Sequence, residues 1–329
     1  MDLLQSSLLN ITASHCPQSS MRGLINPGAY CSINSVVQCL YKTPELRDLI
    51  RRVDDEHSPR ESVPSSLKRL VYEMSEDAHS PCNPSSLVDS MRAYGGVSFY
   101  AQEDSDAVFR CILEALARGC EHAKRIGALW DIKSEDCVRC LGCNNVQTRR
   151  NKSNTVPVFI EDNLPNELQR YIEGYSENTL TRCDYYCGQC QTSTQVEITG
   201  NVVSLPPAVC VAIQHVHNIG KNTANIVKLA KRVAFPENLD LKYMMKDPEV
   251  HRTVYELYAV VAHIGTHHCG HYTAYVRGDD DTWYHADDTL VRACSWEDTL
   301  GAGLEYLEDS TTSVSLYVFH YWHLGKCIL

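Results

Sequence analysis

A chain of 329 residues, 43% hydrophobic and 22% charged, has the composition of a soluble globular protein and core volume for one large domain or two to three packed subdomains. Its 30 basic and 41 acidic residues leave a formal charge of −11, which disfavours a nucleic-acid partner and favours a basic partner or substrate tail. No stretch approaches the ~18 apolar residues of a membrane-spanning helix, so no membrane insertion is expected.

Residues 1–20 are Ser-rich and unpatterned and read as a flexible leader. They have neither a basic start nor an apolar run and do not read as a signal peptide. The 16 cysteines are therefore expected as free, metal-bound or catalytic thiols in a protein of the cytosol, with the nucleus as a second compartment. From Ser32 onward, Ile33, Val36, Val37, Leu40 and Tyr41 recur at helical spacing, and Pro44 marks a break. Residues 51–64 are polar, carry two prolines and read as a loop, and 67–74 and 104–120 read as further helices. The texture changes near Asp131, where cysteine pairs, β-branched residues and turn residues alternate. A short helix is expected at 168–175. Strands are expected at 194–204, 209–216, 255–264, 271–276 and 313–321. The expected class is α+β: a helical N-terminal part, a β-rich middle with metal-type cysteines and a β-rich C-terminal part. The cleft between helices and sheet is a natural place for chemistry.

Three segments carry chemistry. In the first, a glycine-bearing loop runs from Gly23 through Asn26, Gly28 and Tyr30 into Cys31, where a helix begins at once. A thiol at a helix N-terminus feels the positive end of the macrodipole and unpaired N–H donors, and both favour the nucleophilic thiolate. The Asn26 amide lies near enough in sequence to donate to an oxyanion beside Cys31. The same pattern also suits a buried structural cysteine ahead of a helix.

The second segment, 260–276, reads as strand, loop, strand. His263 interrupts an apolar run and reads as a core histidine. His267 and His268, with Cys269, resemble metal ligands but lack a fourth partner nearby. His271 opens a strand behind Gly270, which allows close backbone approach, and is the best-placed base. Asp287 can accept from its ring and fix the tautomer. The pair Asp287-Asp288 reads equally as a solvated turn.

The third segment contains the couples Cys140-Leu141-Gly142-Cys143 and Cys187-Gly188-Gln189-Cys190, four thiolates spaced to close a tetrahedral zinc site. Cys137 makes a competing couple with Cys140, and Cys183 is a further thiol, so the register stays open on spacing alone.

Together these segments resemble the ubiquitin-specific proteases, a papain-like family of cysteine peptidases. The family's cysteine box, Gly-Leu-x-Asn-x-Gly-x-Thr-Cys-Tyr-x-Asn-Ser, is similar to Gly23-Leu24-Ile25-Asn26-Pro27-Gly28-Ala29-Tyr30-Cys31-Ser32-Ile33-Asn34-Ser35, with Tyr30 in place of Thr and Ser32 in place of Tyr. The histidine box is similar to Gly270-His271-Tyr272 after His263-Ile264-Gly265. The likeness runs from about Met21 to Tyr321, and Gln214-His215-Val216 departs from it. It implies Cys31 as nucleophile, His271 as general base and acid, Asp287 as its orienting partner, Asn26 as oxyanion donor and Asp288 as a secondary polar helper. It also implies structural zinc on Cys140, Cys143, Cys187 and Cys190, and no catalytic cofactor. The implied fold is one catalytic domain over 21–329, with a helical thumb at about 21–130, β-rich fingers mostly at 131–205 and a palm mostly at 206–329.

Smaller pieces, Ser62-Val63-Pro64 and residues 233–240 and 294–298, are similar to the interferon-induced branch of the family. That branch removes a modifier made of two ubiquitin-like folds and dampens interferon receptor signalling. The resemblance thus implies that modifier and its conjugates as partners, with ubiquitin and interferon receptor components as further ones. The alternatives are a general deubiquitinase and a non-catalytic regulator that binds a receptor tail.

Overall fold

The computed structural model describes residues 21–53, 61–76, 78–99, 103–119, 122–159, 167–175, 179–214, 216–218, 226–228, 233–266, 270–301 and 314–323. The expected leader at 1–20 lies outside these residues. So do 54–60 of the expected loop, His267, His268 and Cys269, and His215.

Six helices come first: α1 (Cys31–Tyr41), α2 (Pro44–Arg51), α3 (Val63–Ser75), α4 (Ser85–Tyr94), α5 (Ser105–Gly119) and α6 (Ala123–Ala128). Every residue of α1 is buried, because the other helices enclose it on one side and a sheet on the other. Pro44, expected only as a break, is the first residue of α2. A first-turn residue has no use for its N–H, and the proline ring presets the helical φ. α3 begins ahead of the expected 67–74 because Ser62 accepts the Ser65 N–H at 3.4 Å and Pro64 occupies the first turn. α5 matches 104–120, with the Asp104 carboxylate accepting from Asp106 N and Ala107 N at 2.9 and 3.1 Å. α4 and α6 were not expected from the sequence.

The strands fall into two main sheets. β1 (Ile132–Cys140), β2 (Val146–Ser153), β4 (Thr181–Cys187) and β5 (Thr192–Ser204) make an antiparallel sheet ordered β2-β1-β5-β4. The larger sheet has eight strands. β3 (Val156–Phe159), β6 (Ala208–Gln214), β9 (Asn238–Asp240), β10 (Val254–Gly265), β11 (Gly270–Arg277), β12 (Trp283–Asp287), β13 (Leu290–Cys294) and β14 (Val314–His323) follow the order β13-β12-β11-β10-β14-β6-β3, with β9 paired to β10. Among the described strands, only β3 and β6 pair in parallel. β7 (Val216–Asn218) and β8 (Ile226–Lys228) pair antiparallel, and α7 (Leu168–Glu173), α8 (Trp296–Gly301) and two short 3-10 turns (Lys242–Met244 and Pro248–Val250) complete the described elements.

The large sheet is covered on both faces, which explains the nearly continuous apolar run of β10. Ala259, Val261 and Ala274 face the helices, while Val209, Val211, Val260 and Ala262 face a second core that includes α7. Along β10 this alternation slips: Tyr255 and Leu257 face the second core, yet Ala259 faces the first. Pairing with β14 shifts register between Leu257 and Ala259, and the extra residue of this bulge flips the side-chain parity. α1 packs across β10, β11 and β12, so its N-terminal residue comes beside the start of β11 and the end of β12.

Candidate active site

Cys31 is the first residue of α1 and is 4% exposed. Its N-cap, Tyr30, makes no side-chain cap, and the first turn carries no acid, so the helix's N-terminal donors are not offset there by a negative side chain. His271 is the second residue of β11. The β11–β12 register sets Ala274 opposite Ala286, so Asp287 is the diagonal neighbour of His271 on the same face. The Asp287 carboxylate can only accept, so His271 Nε2–H donates to Asp287 Oδ1, at 2.6 Å. That leaves Nδ1 for the Cys31 thiol. The hydrogen bond with Cys31 is the largest influence on the imidazole and, with Asp287 and against partial burial, holds its pKa up at about 9. The structure therefore brings Cys31, His271 and Asp287 into one connected group from three separate elements. Such a group can relay a proton between a nucleophile and a leaving group.

Gly270 has a visible reason: a Cβ there would lie 2.1 Å from Ile264 O and 2.5 Å from His263 Nε2. His263 is buried against Tyr272, with ring centroids 4.4 Å apart, as expected of a core histidine.

Asn26 is held on three sides. Its Oδ1 accepts from Gly28 N at 2.9 Å and Tyr30 N at 3.0 Å, and its Nδ2 donates to Asp288 Oδ2 at 2.8 Å. An amide nitrogen has two hydrogens, so one remains for a developing oxyanion. Asp288 is more than a helper at the rim. Its Oδ1 accepts from Asn34 Nδ2 at 2.7 Å, and its backbone carbonyl accepts from Leu24 N at 2.7 Å. It does this with a left-handed backbone, φ 48°. One carboxylate thus ties the loop before Cys31, helix α1 and the β12–β13 turn together. Gly23 belongs to the same joint, since a Cβ there would lie 2.3 Å from Thr289 O. Sequence reasoning assigned no role to Asn34 or Gly23. The available signal for Asn34 was a polar residue one helical turn after Cys31 within the buried helix.

The four-stranded sheet holds a second cluster. The Sγ atoms of Cys140, Cys143, Cys187 and Cys190 all lie within 4.8 Å of one another. The Cys140–Cys190 and Cys143–Cys187 separations are 3.8 and 3.7 Å, close to the tetrahedron edge of about 3.8 Å implied by metal–sulfur bonds of about 2.3 Å. The geometry resolves the register: Cys143 is in the cluster and Cys137 is not. The Thr194 hydroxyl, 3.1 Å from Cys140 Sγ, is an outer partner that the spacing did not reveal.

Comparison with known proteins bears on the family of the chain. The ubiquitin carboxyl-terminal hydrolase family profile matches residues 22–321. The chain is 28% identical over 302 residues to ubiquitin carboxyl-terminal hydrolase 17-like protein D of Mus musculus, covering 85% of this chain and 52% of that relative. It is 26% identical over 297 residues to Ubl carboxyl-terminal hydrolase 18 of Mus musculus, covering 84% and 79%. Its human counterpart is 23% identical over 299 residues, covering 84% and 78%. The chain spans about half the length of the 17-like relatives and more than three quarters of the Ubl hydrolases. With a family match over nearly its whole length, and with a thiol, an imidazole and a carboxylate joined across helix and sheet, the chain belongs to the ubiquitin carboxyl-terminal hydrolase family.

Proposed function

We propose that the chain is a thiol isopeptidase that removes a ubiquitin-like modifier from the lysines of conjugated proteins. The observation that carries this reading is the connected Cys31–His271–Asp287 group, with Asn26 anchored beside it. His271 Nδ1 takes the Cys31 proton, and the thiolate attacks the carbonyl carbon of the modifier's terminal glycine. The oxyanion forms against Asn26 Nδ2–H and the Cys31 N–H at the start of α1. The tetrahedral species collapses, the C–N bond breaks and the imidazolium protonates the departing lysine amine. Water, deprotonated by His271, then cleaves the thioester and frees the modifier. Asp287 holds the ring in the tautomer this requires.

The four-cysteine cluster is taken as a structural zinc site, because thiolates at these separations suit tetrahedral zinc. The preferred modifier is the interferon-stimulated one with two ubiquitin-like folds. The support is the likeness of residues 62–64, 233–240 and 294–298 to that branch, and the relatives named as Ubl hydrolases. Relatives named as ubiquitin hydrolases favour ubiquitin as the competing substrate. A role damping interferon signalling in the cytosol belongs to the same proposal. A modifier carrying a C-terminal electrophile should form a covalent adduct with the wild-type chain and none with Cys31→Ala. An adduct that persists in Cys31→Ala removes the nucleophile assignment.

A further inference from the structure

The residue directly before Cys31 is an aromatic whose side chain leaves the site and enters a separately built loop. Tyr30 joins both arms of the site through its backbone: its N–H donates to Asn26 Oδ1 at 3.0 Å, and its carbonyl accepts the Asn34 N–H at 2.8 Å. Its side chain is 9% exposed and meets the loop between α4 and α5. The Phe99 ring stands edge-on to it, with centroids 6.4 Å apart and planes at 71°. The Arg92 guanidinium lies 5.7 Å from the Tyr30 ring centroid.

Residues 95–99 are held in an unfavourable backbone shape as they make this contact. Gly95 and Gly96 open it with φ of 93° and 98°. Phe99, 2% exposed, has φ 54°, a left-handed conformation that a bulky L-residue adopts only under constraint. The constraint is visible. Arg92 Nε donates to Ser98 O at 2.8 Å and Nη2 to Phe99 O at 3.2 Å. The Glu103 carboxylate accepts from Ser98 N at 2.8 Å, Ser98 Oγ at 2.9 Å and Phe99 N at 3.1 Å. Both backbone polar groups of Phe99 are thus held by charged side chains, and its ring is delivered to Tyr30.

We infer that Phe99 is a positioning residue for the reaction: through Tyr30 it fixes the backbone on which both the Cys31 N–H and the Asn26 side-chain amide depend. This rests on the isopeptidase reading above. It concerns a contact made by this chain's own Tyr30, at a position where the family's cysteine box carries Thr. Phe99 touches no reacting atom. Its loss should loosen the donors aimed at the oxyanion and leave the thiol's protonation unchanged.

The test is a double-mutant cycle on the full chain, with a fluorogenic modifier substrate and, in parallel, alkylation of Cys31 by iodoacetamide. Alkylation forms no oxyanion, so it reports the thiolate alone. Phe99→Ala should lower kcat roughly tenfold with KM within about twofold, a fraction of what loss of an oxyanion donor costs. Its alkylation rate and pH profile should stay as in wild type. Phe99→Leu, which keeps bulk without the ring edge, should fall in between, and Phe99→Tyr should restore the rate. In a Tyr30→Thr background, Phe99→Ala should add less than about twofold, because its route to Cys31 is gone. Wild-type kcat in both Phe99→Ala and Phe99→Leu overturns the inference. Equal losses in the wild-type and Tyr30→Thr backgrounds, or a shifted alkylation profile, overturn it as well. If Phe99→Ala does not fold, the Leu and Tyr variants decide the matter alone. Activity that persists in Cys31→Ala would instead sink the underlying reading, so the two failures are distinguishable.

Discussion

His271 sits between a thiol and a carboxylate, and both favour its imidazolium. With its pKa raised from the ordinary 6.5 to about 9, the imidazolium that protonates the departing amine persists at neutral pH and is lost as pH rises through about 9. The rate is therefore expected to show an alkaline limb near pH 9. Asp287→Asn removes one source of the shift and should move that limb down towards 6.5 while lowering kcat/KM. Asp288 has a different job. Its Oδ2 lies 4.0 Å from His271 Nε2, and its oxygens already serve Asn26 and Asn34. Asp288→Ala should leave the limb in place and lower kcat by roughly tenfold or more, as the Asn26 donor loses its anchor. A pH–rate profile for both variants checks this. Equal displacement of the limb in both would show that the two carboxylates act as one group.

At the scale of elements, what the sequence disclosed depended on how local the cause was. The start of α1 was legible because apolar residues recur at helical spacing from Ile33, just after Cys31. β10 was legible because two covered faces demand a nearly continuous apolar run. β2 was not: all eight of its residues are exposed, so burial imprints no alternation on them. Pro44 misled because proline both ends and begins helices, and only the partner elements decide which. Asp288 read as a solvated acid in a turn because its partners, Asn26 and Asn34, lie on elements far away in the chain. The four-stranded sheet shows the same limit and leads to a prediction. Its own core comprises only Val138, Cys140, Cys187 and Val196, with partly buried neighbours. So small an apolar cluster gives the zinc site proposed above a structural task, since a metal there would clip the two turns of the sheet together. Chelation of the purified protein, or Cys187→Ser, should release zinc and speed hydrogen exchange across β1, β2, β4 and β5, while α1 keeps its protection. Unchanged exchange in a metal-free sample would remove the structural role of the cluster.

For the molecule as a whole, the open choice is between modifiers, and the catalytic group cannot make it. In the proposed reaction Cys31, His271, Asp287 and Asn26 act on the end of the modifier's tail and the lysine bond, not on its folded body. Discrimination has to arise where a folded modifier body touches the enzyme, and binding made there is present in ground and transition states together. The four-stranded sheet offers exposed apolar side chains for such contact: Leu141 and Val146 beside one knuckle and Tyr186 beside the other. Contacts of this kind carry affinity when they become fully desolvated, and only a body of matching shape desolvates them. The net charge of −11 acts more evenly, drawing in any basic tail and losing force as salt is added. Matched fluorogenic substrates of the two modifiers should therefore differ in kcat/KM through KM, with similar kcat, and in favour of the two-domain modifier. Added salt should weaken both without reversing their order. A preference for ubiquitin would overturn the choice of modifier and leave the isopeptidase chemistry standing. A difference confined to kcat would instead move the source of selectivity from the modifier-binding surface to the channel beside Cys31.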